Sequence, residues 1–152
     1  MQKPTTKDYA EYFRLALEAG LIREAEIEQW ADKMIVEISS ATPDWLLNLS
    51  IDREASKGRL LEVVPGETDK TNSWNLLLAH LGIAARTNRF KREQVVSMLY
   101  RWAIAGVIPE EHLSAAYALD AGLDGIKAGW FSERQFEERF EAFFRQFRSF
   151  ET

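Results

Sequence analysis

His80 lies within TNSWNLLLAHLGIAA, residues 71–85, a stretch with no Asp, Glu, Lys or Arg, and it is the only titratable group there. A pocket built from His80, Trp74 and acidic residues brought in by the fold would make an enzyme or a small-molecule binder. The plainer reading is a neutral, hydrogen-bonded histidine in the core or at its edge. His112 follows Pro109 and stands beside Glu110 and Glu111. The two histidines are far apart, no HExxH spacing occurs, and the chain has no cysteine, so a zinc site lacks its ligand pattern. No metal and no cofactor is expected.

Two further stretches imitate ligand loops. Asp120-Ala-Gly-Leu-Asp124-Gly125 matches positions 1, 5 and 6 of a calcium loop, but position 3 is Gly122 and position 12 is Phe131, where a bidentate Glu is required. The plain reading is a turn with permissive glycines. Gly66 to Thr71 resembles the end of a phosphate loop, yet Asp69 stands where a glycine must precede Lys70, and it would repel the phosphate. No G-x-S-x-G elbow is present, so no catalytic residue is assigned.

Charge offers two candidates for binding. Arg86, Arg89, Lys91, Arg92 and Arg101 form a basic run around Phe90, the pattern of a nucleic-acid module. The formal net charge of −5 opposes that reading. Between Lys7 and Asp69 there are 14 acidic and seven basic residues, and Glu24, Glu28 and Asp32 recur every four positions in one line. Such a ridge is usually a solvated face. With a purpose, it would steer the chain toward a basic protein surface.

These groups are carried by helices. The chain has 152 residues, 46% of them hydrophobic, with five Trp and nine Phe, enough for a single domain over 1–152 with its own core. Only four Pro and eight Gly interrupt it, and apolar residues recur at helical rather than alternating spacing. The expected fold is an all-α bundle of seven or eight helices around a buried central helix at about 73–87, capped at Asn72 or Ser73. That helix is apolar all round but too short for a membrane span. The N-terminus MQKPTTKDYAEYF lacks the apolar segment of a signal peptide, so a cytoplasmic location is expected.

Other helices are expected over 8–19, 24–38 and 91–105, after Thr42-Pro43, from Asp52 to about Val63 behind a Ser50 cap, from Pro109 to about Leu119, and after Ser132. Residues 120–130 read as a loop or a short irregular helix. In the last helix Phe136, Phe140, Phe143, Phe144 and Phe147 form a core stripe; exposure of Phe147 and Phe150 would mark a homodimer seam. One motif recurs four times. A C-cap residue is followed two positions later by an apolar residue and seven positions later by another: Gly20, Ile22, Ile27; Asn88, Phe90, Val95; Gly106, Ile108, Leu113; Gly129, Phe131, Phe136. Each set fits a tight helix–helix turn closed by a hydrophobic staple.

The run ALEAGLIREAEIEQWADKMI, with PDWLLNLS, VVPGE and AYALDAGLDGIKAGWFS, resembles small all-helical bacterial proteins, some of them similar to the immunity proteins of polymorphic toxin systems. The resemblance covers most of the chain and rests on turn glycines and tryptophans at helix faces. It implies a non-enzymatic inhibitor that binds a cognate toxin, with no functional motif to carry over residue by residue. An acidic surface would suit a basic nuclease toxin, competing with nucleic acid for the same positive cleft.

Overall fold

A computed structural model describes residues 3–38 and 40–151. Among them are eight α-helices and two 3-10 turns, so the all-α expectation holds. The helices are α1 (Thr6–Glu18), α2 (Glu24–Glu37), α3 (Asp44–Ile51), α4 (Lys57–Glu62), α5 (Lys70–Arg86), α6 (Arg92–Ile104), α7 (Leu113–Ala128) and α8 (Glu133–Arg145). Contacts group the chain into two compact units, Met1–Ser73 and Trp74–Thr152, and the division falls in the first turn of α5.

In the first unit α1 packs on α4 and α2 on α3. The core consists of the inward stripes of these helices: Ala10, Ala16, Ile27, Ala31, Leu46, Leu49 and Leu61 are essentially without solvent exposure. The 3.6-residue spacing that marked α2 puts Ile27 and Ala31 on its buried side and Trp30 beside Phe13, with ring centroids 4.9 Å apart. Asp8 joins two helix starts. Its carboxylate accepts from the backbone N–H of Thr5 (2.8 Å) and of Asp69 (2.7 Å) and from the Asn72 amide (3.2 Å). Thr5 returns the bond by accepting from the Asp8 N–H, which closes a capping box on α1.

The second unit is built on α5. Trp74, Leu76, Leu77, Leu78, Ala79, Leu81 and Ala84 are all buried, as the uncharged stretch demanded. Trp74 meets Trp102 of α6 edge-on, with centroids 5.3 Å apart. On α8 the phenylalanines at 136, 140, 143 and 144 face inward, and Phe147 behind them is only 2% exposed, so it forms no open seam. A Cβ on Gly82 would lie 3.0 Å from the Phe144 ring, so the glycine lets that ring rest on the α5 backbone.

The recurrent turn motif is a structural unit. Gly20, Asn88, Gly106 and Gly129 all have positive φ, between 58° and 83°. In each case the next residue donates its N–H to the carbonyl five positions back: Leu21 to Ala16, Arg89 to Ala84, Val107 to Trp102 and Trp130 to Gly125, at 2.9–3.1 Å. This is the Schellman arrangement, which satisfies carbonyls that the helix end leaves open.

Four local expectations are corrected. α5 begins at Lys70, not at 73, because Asp69 accepts from the N–H of Thr71 and Asn72 and nucleates a turn earlier. α4 begins at Lys57 behind a Ser56 cap; Asp52 folds back on the N–H groups of Glu54 and Ala55, and Ser50 bonds Asp32 instead of capping. α3 starts after Pro43, which is itself the N-cap and supplies no side-chain bond.

The fourth correction concerns residues 120–128, which are regular helix, so Asp120 and Asp124 sit one turn apart on α7 and form no calcium loop. The glycines there serve close approach. A Cβ on Gly122 would lie 3.1 Å from the Phe136 ring, and one on Gly125 would lie 2.9 Å from the Phe131 Cβ. Gly125→Ala is therefore expected to cost about 1–3 kcal/mol in urea unfolding, against the gain of roughly 1 kcal/mol that Gly→Ala brings in an ordinary helix. A stabilised variant would contradict this packing.

Candidate functional site

The acidic line on α2 does not simply face water. Lys57, on α4, is 1% exposed, and its ammonium donates to the carbonyls of Leu49 (2.9 Å) and Asp52 (2.7 Å). Glu28 lies 3.5 Å from that ammonium and 3.5 Å from the Arg53 guanidinium. Glu24 accepts a long bond from the Lys57 backbone N–H, and Asp32 accepts from Ser50. Lys57 thus closes the C-terminus of α3 and holds Glu28 and Glu24, while Ser50 holds Asp32. Cations belong at a helix C-terminus, where carbonyls are unpaired. Glu24 and Asp32 remain exposed, whereas Glu28 is mostly covered.

His80 is half-buried on α5, between the core residues Ala79 and Leu81. A cavity of about 610 Å³ lies at the C-terminal end of this helix, at the α5–α6 turn, lined by Arg86, Phe90, Lys91, Arg92, Glu137 and Glu141 among others. His80 does not line it. The cavity's cations are largely engaged. Arg86 pairs with Glu151 at 2.6 Å. Arg92 binds Glu133 (2.7 Å), Glu93 (3.1 Å) and Glu137, with its guanidinium 5.1 Å above the Phe136 ring. These bonds, Glu133 first, push the Arg92 pKa upward. Arg89 lies 5.8 Å over Phe90.

His112 has an unusual environment. It is 6% exposed and edge-on to Phe143 and Phe147, and its Nε2 has no hydrogen-bond partner. The turn motif explains the orphan. In the other three turns the third residue after the cap accepts the cap's backbone N–H: Glu26 from Arg23 (2.8 Å), Gln94 from Lys91 (2.8 Å) and Gln135 from Ser132 (3.2 Å). His112 occupies that place, but the cap is Pro109, which has no N–H to give. The proline was the available signal in the sequence.

Burial lowers the His112 pKa from its ordinary 6.5, with Glu111, 3.8 Å away, pulling the other way. The unfolded chain takes up a proton near 6.5 and the folded chain resists it, so stability is expected to fall as pH drops below about 6.5 and to level off once the folded histidine is charged. His112→Leu should remove that slope and leave neutral-pH stability unchanged or raised by about 1 kcal/mol, since no partner is lost. Urea midpoints on both sides of pH 6.5 test it.

Among the described residues no group of three or more His, Asp or Glu is placed to hold a metal ion, and no helix is long and apolar enough to cross a membrane. No protein-family model, curated protein or solved structure matches the chain.

What remains as a distinguishing property is the distribution of charge. The unit Met1–Ser73 carries 14 acidic and nine basic residues, whereas Trp74–Thr152 carries ten of each. The whole net charge of −5 belongs to the first unit.

Proposed function

We propose that this chain is a non-enzymatic protein-binding module whose acidic first unit engages a basic partner, in the manner of an immunity-type inhibitor of a toxin. The observation that carries the reading is the concentration of the net charge in residues 1–73, with Glu24, Asp32, Glu37 and Asp44 all exposed on α2 and α3. A net negative surface raises the encounter rate with an oppositely charged protein and disfavours polyanions. The engagement of Arg86 and Arg92 by carboxylates argues in the same direction, since a nucleic-acid module needs such cations available for phosphates.

The test is capture from the native lysate with the wild-type protein and with Glu37→Lys/Asp44→Lys. These residues are chosen because Glu28 is occupied by Lys57. A basic protein should be retained by the wild type, released by raised salt, and lost by the reversed variant. Equal capture by both proteins would refute the acidic surface as the binding face. Growth rescue on co-expression with the captured protein would identify it as a toxin.

A further inference from the structure

The first unit leaves large aliphatic side chains in water, with Val36 84%, Ile51 66% and Leu47 37% exposed. Their placement follows from the bonds between α2 and the segment after it. Glu24 and Glu28 meet Lys57, and Asp32 meets Ser50, so numbers fall on one side as they rise on the other. The two helices are therefore antiparallel, and one further turn sets Val36 level with Leu47. Leu47 and Ile51 are four apart on α3, on one stripe with Asp44; Val36 and Asp32 are four apart on α2. The outer side of the pair thus carries three exposed aliphatics and two exposed aspartates, and Lys33, three positions before Val36, lies beside them.

We infer that this strip docks an amphipathic helix of the partner, one with an apolar face flanked by Lys or Arg. The inference rests on the protein-binding reading above and specifies its chemistry. Two antiparallel helices present a lengthwise groove, and a third helix laid into it buries the aliphatics in the way a bundle does. Asp32 and Asp44 supply the charge that selects a basic flank, and the net charge of the unit extends that preference over its surroundings. A second copy of this chain is disfavoured by the same charges. A two-fold pairing through this strip would bring its aspartates against themselves and two units of charge −5 together.

The test uses fluorescent peptides of Leu and Lys only: one with amphipathic helical order, and a scramble of identical composition without it. Binding is read by anisotropy at physiological ionic strength, against the wild type, Val36→Ser/Ile51→Ser and Asp32→Asn/Asp44→Lys. The serine variant changes exposed positions only, and its urea midpoint should equal that of the wild type. The ordered peptide should bind the wild type at least about tenfold more tightly than the scramble, and each variant should weaken it by about tenfold or more.

No binding of the ordered peptide, or equal binding of both peptides, overturns the strip. So does affinity that falls only on charge reversal, an outcome that leaves the acidic-surface reading standing. Lysate capture unmoved by reversal would remove that reading separately. Self-association of the wild type in sedimentation, abolished in the serine variant, would assign the strip to a second copy and overturn the inference.

Discussion

Replacing Lys57 by methionine should lower the unfolding free energy by about 3–5 kcal/mol, measured by urea denaturation. The side chain is 1% exposed and serves three groups at once: the carbonyls of Leu49 and Asp52 and the carboxylate of Glu28. Methionine matches the volume and supplies no donor, so two carbonyls lose their bond and an acid with 17% side-chain exposure keeps only the exposed Arg53 as counter-charge. Breaking a buried pair by removing one partner is costly for this reason, whereas replacing both is much less so. Glu28→Gln alone should cost about 1 kcal/mol, because the ammonium keeps its carbonyls. The double variant should lose less than the two single losses combined, which measures the coupling directly. A loss below about 1 kcal/mol for Lys57→Met would mean that the ammonium does not hold α3 to α2.

Asp8→Ala should cost about 3 kcal/mol, because the carboxylate serves two helix starts and is 1% exposed. Thr5 and Asp69 would each leave an N–H without its acceptor, and the Asn72 amide would lose its partner. Burial opposes the charged form, yet the N–H groups of Thr5 and Asp69 and the Asn72 amide outweigh it, and the pKa lies below the ordinary 3.8. The sign follows. The contribution is complete above about pH 3.8 and is lost as pH falls through the lower folded value. Acid unfolding of the wild type should therefore show a carboxylate-linked slope below pH 3.8 that Asp8→Ala reduces. An Asp8→Ala midpoint equal to that of the wild type would remove Asp8 as the link between α1 and the start of α5.

Both residues mark where the sequence could be read and where it could not. The α2 stripe, the uncharged α5 and the four turn motifs were legible because each depends on neighbours within one or two turns. The line of Glu24, Glu28 and Asp32 was legible as a line, but its purpose lay with Lys57 and Ser50, from 18 to 33 residues away, beyond any local pattern. Asp8 reads as an ordinary first-turn acid until the fold brings Asp69 and Asn72 to it. Residues 120–128 misled for a different reason. Glycine lowers helix propensity, but at 122 and 125 it admits aromatic rings that a Cβ would repel, and packing outweighed propensity. Of the candidate site, the acidic composition was readable in sequence, while the aliphatic strip of Val36, Leu47 and Ile51 needed the antiparallel register of α2 and α3.

The four positive-φ turns have a consequence for how the length of this chain can change. Each turn fixes two things together, the left-handed cap and an apolar pair five residues apart that straddles the next helix start. Adding or deleting one residue between them would rotate the following helix by about 100° and shift it by about 1.5 Å, turning its buried stripe toward water. The connection at 64–68 contains no such coupled pair, whereas that at 52–56 sets the Lys57 ammonium on the Asp52 carbonyl. Single-residue insertions should therefore be accepted at 64–68 and rejected after Gly20, Asn88, Gly106 and Gly129, so that chains descended from a common ancestor with this one would differ in length at the first place and keep the other four spacings constant.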